Sequence, residues 1–187
     1  MIAYPVGTPP AEGEAVELAP GILWIRLPLP MALDHVNVYA LVDDDGWTIV
    51  DTGFDSRRSR AIWDRLRSGP LAGRPVRRVL GTHQHPDHIG LAGWFMATDD
   101  ADLLMSRTAW LTARMLHLDI QDRPTAQALD FWRRAGMPPA MLAERAAARP
   151  YNSADVVHPL PPGFTRLAEG DALTLAGRRW RVAMGHG

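Results

Sequence analysis

The sequence predicts a mixed α/β (α+β) fold in which helices lie on one side of a mostly antiparallel sheet. Three observations support this fold class. Apolar and polar side chains alternate over residues 35–51, as in a β-hairpin. Apolar side chains recur at helical spacing over residues 56–67, and three further helical stretches fall within residues 106–163. With 187 residues, 47% hydrophobic and 22% charged, the chain is one ordinary globular domain or part of a larger one.

The composition excludes several kinds of chemistry. The chain has no Cys, which removes disulfides, thiolate metal ligands and Cys nucleophiles, and all 20 basic residues are Arg, which removes lysine-dependent sites. A net charge of −1 argues against a nucleic-acid partner. No apolar run is long enough to span a membrane, and the N-terminus lacks the pattern of a secretory signal. We therefore expect a cytoplasmic protein with no membrane partner.

The first strands and the first helix are bounded by turn and capping residues. Residues 1–20, rich in Pro, Glu and Ala, predict a loose arm, and residues 22–27 predict a first strand. The turn of the hairpin falls at residues 43–46. Asp55 or Ser56 is expected to cap the start of the first helix, and Gly69-Pro70 is expected to end it.

After the first helix the sequence predicts a strand that leads into a polar segment. The strand covers residues 76–81, and residues 89–97 are expected to form the start of a helix. We expect a strand at residues 102–105 and then a helical insertion within the domain, residues 106–163. The remaining predicted strands are residues 164–167, 171–175 and 178–184.

The strongest chemical signal is the polar segment between a strand and a helix, Thr82-His83-Gln84-His85-Pro86-Asp87-His88. In an extended segment, residues two apart point to the same side, so His83 and His85 can converge on one metal ion. Asp87 and His88 follow the Pro and can face a second ion. Imidazole and carboxylate ligands suit zinc, and also iron or manganese. Three His and one Asp within six residues are far from the pattern of isolated surface residues.

The pattern His-x-His-x-Asp-His resembles the signature of the metallo-β-lactamase-fold hydrolases, and the preceding Thr82 is common in their glyoxalase-II-like and lactonase-like branches. A second match is Val50-Asp51-Thr52-Gly53, which resembles the Asp-Thr-Gly loop of the family. The resemblance implies an αββα sandwich, of which this chain supplies the first half with a helical insertion. It also implies that Asp51 lies behind the metal ligands and orients one of them. The alternative for Asp51 is a simple turn residue.

The resemblance implies a binuclear metallo-hydrolase with two divalent ions, zinc first among the candidates. His83 and His85 would hold one ion, while Asp87 and His88 would hold the other. A metal-bound hydroxide, oriented by Asp87 as the catalytic carboxylate, would attack an ester, thioester, lactone or amide carbonyl. The substrate would be a small molecule with a hydrolysable acyl bond. The apolar insertion favours a hydrophobic acyl group.

The end of the sequence departs from the family pattern, in which a Gly-His-Ser/Thr motif supplies a third His. Here His186 is followed by Gly187, where the chain ends. Either His186 is that ligand, or the ligand follows Gly187; we favour the second reading because it matches the motif context. We therefore expect an N-terminal fragment of a longer hydrolase. Its half-sandwich would expose one sheet face, which is compatible with a homo-oligomer.

Three alternatives remain open at this level. A mononuclear-iron dioxygenase of the same fold carries the same His-x-His-x-Asp-His pattern, and one bound iron would identify it. A phosphodiesterase or nuclease also shares the pattern, but the net charge of −1 argues against it. The third alternative is a non-catalytic interaction module that pairs with another chain through its open sheet.

Overall fold

The computed structural model describes residues 6–185, so the sequence prediction for His186 lies outside the described residues. A seven-stranded sheet runs through the domain, with the strands adjacent in chain order. A separate two-stranded hairpin follows it. The strands of the sheet are β1 Val16–Ala19, β2 Ile22–Pro28, β3 His35–Asp43, β4 Gly46–Val50, β5 Val76–Leu80, β6 Asp102–Ser106 and β7 Thr165–Leu167, and those of the hairpin are β8 Ala172–Leu175 and β9 Arg178–Arg181.

The mixed fold is as predicted, but the mostly antiparallel sheet is a wrong expectation. Strands β1 to β4 pair antiparallel, whereas β4 to β7 pair parallel. The reason is that β5, β6 and β7 are each reached through a helical connection, and a parallel pair requires such a crossover. The carboxyl ends of β4, β5 and β6 consequently lie at one edge of the sheet. This edge carries the polar segment that the sequence singled out.

Six α-helices occur in the described part of the chain: α1 Arg57–Ser68, α2 Pro86–Ile89, α3 Ala92–Asp99, α4 Arg107–Leu118, α5 Ala126–Arg134 and α6 Pro139–Ala147. Ser56 caps α1 as predicted, since its hydroxyl accepts a hydrogen bond from the Ser59 N–H at 3.0 Å. The helix expected to start at residue 89 begins instead at Ala92, and a separate short helix precedes it. Pro86 begins the short α2, which ends before α3 begins. Within residues 6–185, no helix has the length and apolar character needed to cross a membrane.

The predicted loose arm is partly wrong, because Val16–Ala19 forms the edge strand β1. The residues before β1 are also attached to the domain. The Glu12 carboxylate accepts hydrogen bonds from Arg58 at 2.6 Å and from Arg65 at 3.0 Å, both on α1. Side chains that are far apart in sequence therefore hold this segment in place, which its composition could not indicate.

The hydrophobic core lies between one face of the sheet and the helices α1 to α3. Ile25, Leu27 and Val38 of the sheet and Trp63 and Phe95 of the helices are fully buried. The opposite face of the sheet carries the β8–β9 hairpin. Between the two lies an apolar cavity of about 500 Å³, lined among others by Tyr39, Leu41, Val50, Leu80, Leu173, Leu175 and Trp180. Helices α4 to α6 fall between β6 and β7, and α5 and α6, both fully described, contribute no buried residue.

Replacing Trp63 by Phe should lower the free energy of unfolding by about 1–3 kcal/mol, because a buried carbonyl loses its donor. The Trp63 indole N–H donates to the Thr52 carbonyl oxygen at 3.0 Å, and the ring meets Phe95 edge-on at 5.0 Å. Urea unfolding measures the loss. Trp180→Phe is the matched control, since Trp180 also donates to a backbone carbonyl but is 41% exposed. Equal losses for the two variants would contradict the prediction.

Candidate metal centre

Two adjacent parallel strands bring the conspicuous segments together. In the β4–β5 pair, Val50 lies opposite Leu80, so the Asp-Thr-Gly loop and the His-rich segment leave the sheet side by side. The Asp51 N–H donates to the Leu80 carbonyl oxygen at 3.0 Å, which extends the strand pairing by one residue. Residues separated by more than thirty positions thereby become neighbours at the edge of the sheet.

Asp51 lies behind the His-rich segment and accepts three hydrogen bonds from it. Its Oδ1 accepts from the Thr82 N–H at 2.8 Å, and its Oδ2 accepts from the Thr82 hydroxyl at 2.8 Å. The same Oδ2 lies 2.7 Å from His88 Nδ1. Asp51 is buried and has a φ of 60°, a left-handed conformation that is uncommon outside Gly and that Asp tolerates better than most residues. Asp51 thus contacts the segment that carries the predicted metal ligands, and its role toward a metal stays a prediction.

Thr52, which the sequence analysis did not single out as a site residue, fixes the other end of the segment. Its N–H and its hydroxyl both donate to the His88 carbonyl oxygen, at 2.7 Å and 3.0 Å. Its hydroxyl oxygen in turn accepts from the Leu91 N–H at 3.0 Å. Thr52 therefore holds helix α2, and with it His88, against the loop that carries Asp51. The only sequence signal for it was its place in the Asp-Thr-Gly loop.

The four residues predicted as metal ligands lie side by side. The ring centroid of His83 is 4.7 Å from that of His85 and 4.0 Å from that of His88. His83 Nε2 faces His85 Nδ1 at 2.9 Å, and His88 Nε2 is 3.4 Å from an Asp87 carboxylate oxygen. Within residues 6–185, no group of three or more His, Asp or Glu side chains already has the arrangement of a metal site. The hydrogen bond between His83 Nε2 and His85 Nδ1 engages two of the candidate donor atoms.

The two imidazoles nearest Asp51 have pKa values shifted in opposite directions. Burial lowers the pKa of His83, and the neighbouring His88 and His85 lower it further. Burial acts on His88 in the same sense, but the hydrogen bond and charge of Asp51 outweigh it and raise the pKa of His88. Because a carboxylate can only accept, His88 donates to Asp51 through Nδ1, while its other ring nitrogen, Nε2, faces Asp87.

The residues present fit a divalent cation. Imidazole nitrogens and a carboxylate are the donors that zinc, iron and manganese share. A carboxylate hydrogen-bonded to a ligating imidazole is the usual support for such a ligand, and Asp51 makes this kind of contact with His88, a predicted ligand. His83 Nε2 and His85 Nδ1 lie 2.9 Å apart and are hydrogen-bonded to each other, so that binding of one cation by both imidazoles would require this hydrogen bond to break.

The loop that follows helix α6 and contains Tyr151 and Asn152 approaches the cluster. Asn152 is buried, and its side chain makes two hydrogen bonds with the backbone of Gln121. Its Oδ1 accepts from the Gln121 N–H at 2.7 Å, and its Nδ2 donates to the Gln121 carbonyl oxygen at 3.0 Å. The neighbouring Tyr151 is 65% exposed, and burial of its phenol together with the negative charge of Asp87 raises the pKa of Tyr151. Nothing in the sequence pattern indicated this neighbour.

A family model and a curated relative both match the chain. The model described as the metallo-beta-lactamase superfamily matches residues 31–187. The relative is a Bacillus subtilis (strain 168) protein described as "Probable metallo-hydrolase YqjP", which is 35% identical over 75 residues. That alignment covers 40% of this chain and 23% of the relative.

Solved structures match over nearly the whole chain. A beta-lactamase domain protein from Burkholderia ambifaria is 36% identical with a TM-score of 0.82, over 98% of this chain and 51% of that protein. The metallo-beta-lactamase family protein TTHA1429 from Thermus thermophilus is 28% identical with a TM-score of 0.66, over 88% of this chain and 52% of that protein. The chain therefore spans about half the length of these structural relatives.

Proposed function

Because the chain belongs to the metallo-β-lactamase superfamily, we propose that the protein is a metal-dependent hydrolase of an ester, thioester, lactone or amide bond in a small molecule. His83 and His85 would hold one divalent ion, while Asp87 and His88 would hold a second. Zinc is the first candidate for both, and iron or manganese would accept the same donors.

The observation that carries the proposal is that one buried carboxylate, that of Asp51, holds the His-rich segment through hydrogen bonds. Asp51 contacts both Thr82, at the start of the segment, and His88, at its end. A buried, left-handed Asp is costly for the backbone, and such cost is typical of functional sites. A turn residue would not need a buried carboxylate with three hydrogen bonds. The geometry therefore favours the role behind the ligands over the turn reading.

Each residue then has a distinct task. Bound divalent ions would polarise the substrate carbonyl and lower the pKa of a water molecule to near neutrality. Asp51 would keep the proton of His88 on Nδ1, so that Nε2 remains a lone-pair donor. Asp87, 3.4 Å from His88, would accept a hydrogen bond from the attacking water and so orient it.

An apolar acyl group is the substrate feature that the surroundings favour. Helix α4 begins directly after β6, at the same edge of the sheet as the cluster. Its side chains Leu111, Met115 and Leu118, spaced along one side of the helix, are each more than half exposed. Apolar side chains on a structural support beside a site commonly shape specificity. We accordingly propose a thioester or another hydrophobic acyl compound as the first class of substrate to screen.

Elemental analysis after metal loading tests the proposal. The chain and a version extended along its reading frame are stripped with a chelator, incubated with zinc and desalted. We expect two equivalents of zinc in the extended form and less in the chain itself. A His35→Ala variant should match its parent, because His35 contacts Asp34 outside the cluster. A single iron in protein purified without added metal would favour the dioxygenase, and no metal in either form would contradict the proposal.

A further inference from the structure

A continuous row of hydrogen bonds runs from Asp51 through Thr82 to His83 and His85. The Thr82 hydroxyl is 2.8 Å from Asp51 Oδ2 and 3.0 Å from His83 Nδ1. On the far side of the ring, His83 Nε2 is 2.9 Å from His85 Nδ1. The Thr82 oxygen therefore touches both the buried carboxylate and one imidazole of the cluster.

Elementary hydrogen-bond chemistry fixes the direction of this row. An ionised carboxylate has no proton to give, so the Thr82 hydroxyl donates its single proton to Asp51. The Thr82 oxygen can then only accept from His83, which places the His83 proton on Nδ1. His83 Nε2 is left with a lone pair. Two imidazoles of the cluster thus take their tautomer from one carboxylate, His88 directly and His83 through Thr82.

The Thr82 hydroxyl is held firmly enough to act in this way. The Thr82 N–H donates to Asp51 Oδ1 at 2.8 Å, so that the carboxylate binds both the backbone and the hydroxyl of Thr82. Thr is also stiff at χ1 because it is branched at Cβ. The hydroxyl is consequently fixed between its two partners, although the residue as a whole is exposed.

We propose that Thr82 is a positioning residue that sets the Nδ1–H tautomer of His83 and so keeps His83 Nε2 unprotonated, with a lone pair that a cation could use. The second half of this statement rests on the proposed function, whereas the tautomer itself does not. An Nε2–H tautomer would place a proton on the nitrogen that a cation needs, and the metal would have to displace it.

The tautomer can be measured on the metal-free chain by ¹⁵N NMR of the histidine rings at pH 8. We compare the wild type with Thr82→Val, which keeps the Cβ branch and the backbone N–H but has no hydroxyl, and with Thr82→Ser, which keeps the hydroxyl. The wild type and Thr82→Ser should show His83 protonated on Nδ1. Thr82→Val should shift His83 toward Nε2–H, the form that a free imidazole side chain favours. An unchanged His83 in Thr82→Val would overturn the proposal.

A competition titration with a coloured zinc chelator tests the second half. Thr82→Val should bind zinc about tenfold more weakly, while Thr82→Ser stays near the wild type. A tautomer shift without a loss of zinc affinity would overturn the positioning role. A wild type that binds no zinc would contradict the proposed function, and the NMR comparison would still decide the tautomer. If Thr82→Val fails to fold, Thr82→Ala provides the same loss of the hydroxyl.

Discussion

Replacing Gly90 by Ala is expected to lower the free energy of unfolding by about 3 kcal/mol, because a Cβ has no space at this position. It would lie 2.4 Å from the Gly53 carbonyl oxygen, 2.6 Å from that of Pro86 and 2.8 Å from the Asp55 nitrogen. All three neighbours are backbone atoms, which cannot rotate away as a flexible side chain can. The added methyl group must therefore push helix α2 away from the loop that carries Asp51.

The Gly90 substitution should also disturb the cluster of His83, His85, Asp87 and His88. The close approach of helix α2 to the loop that carries Asp51 also positions His88. Urea unfolding measures the stability, and histidine NMR reports whether His88 keeps its contact with Asp51. Gly163→Ala is the matched control: its Cβ would meet no heavy atom within 4 Å, so we expect a change of about 0.5 kcal/mol or less. A Gly90→Ala protein as stable as Gly163→Ala would show that the two segments are not packed as closely as the structure has them.

Local patterns in the sequence predicted much of the fold. The alternation over residues 35–51 gives the β3–β4 hairpin, and Ser56 caps the first helix. The parallel half of the sheet was missed, because the pairing of β4 with β5 joins strands separated by a whole helix and leaves no periodic signal. Edge strand β1 was missed for a related reason: its composition resembles a loop, and its pairing with β2 outweighs that preference.

The sequence pattern predicted which side chains lie near each other at the candidate site, but it did not predict the hydrogen bonds between them. The spacing of His83, His85, Asp87 and His88 indicated a cluster, and the structure brings these side chains together. It could not indicate that Thr82 joins Asp51 to His83, since that depends on a contact across 31 positions and on the direction of each hydrogen bond. Close backbone approaches, such as that at Gly90, are likewise visible only in three dimensions.

Replacing Asp51 by Asn should weaken zinc binding about 10- to 100-fold, the effect usual for a residue that supports metal ligands from behind. Asn has nearly the same shape and also tolerates the left-handed φ of 60°, so the backbone should be retained. The carboxylate accepts three hydrogen bonds, and an amide cannot replace it. In the place of Oδ2, the NH₂ group would face both the Thr82 hydroxyl and His88 Nδ1, and donation to Nδ1 would force the His88 proton onto Nε2.

The Asp51→Asn variant should also lose about 1–3 kcal/mol of folding free energy, because buried donors are left without an acceptor. Chelator competition measures the zinc affinity and urea unfolding the stability of the metal-free protein. Asp100→Asn is the matched control, since Asp100 has a similar φ of 55° but is exposed. It separates the cost of an amide in the left-handed conformation from the loss of the three hydrogen bonds. Zinc affinity that is equal in the two variants would mean that Asp51 shapes only a turn, and that the imidazoles do not depend on it for their tautomers.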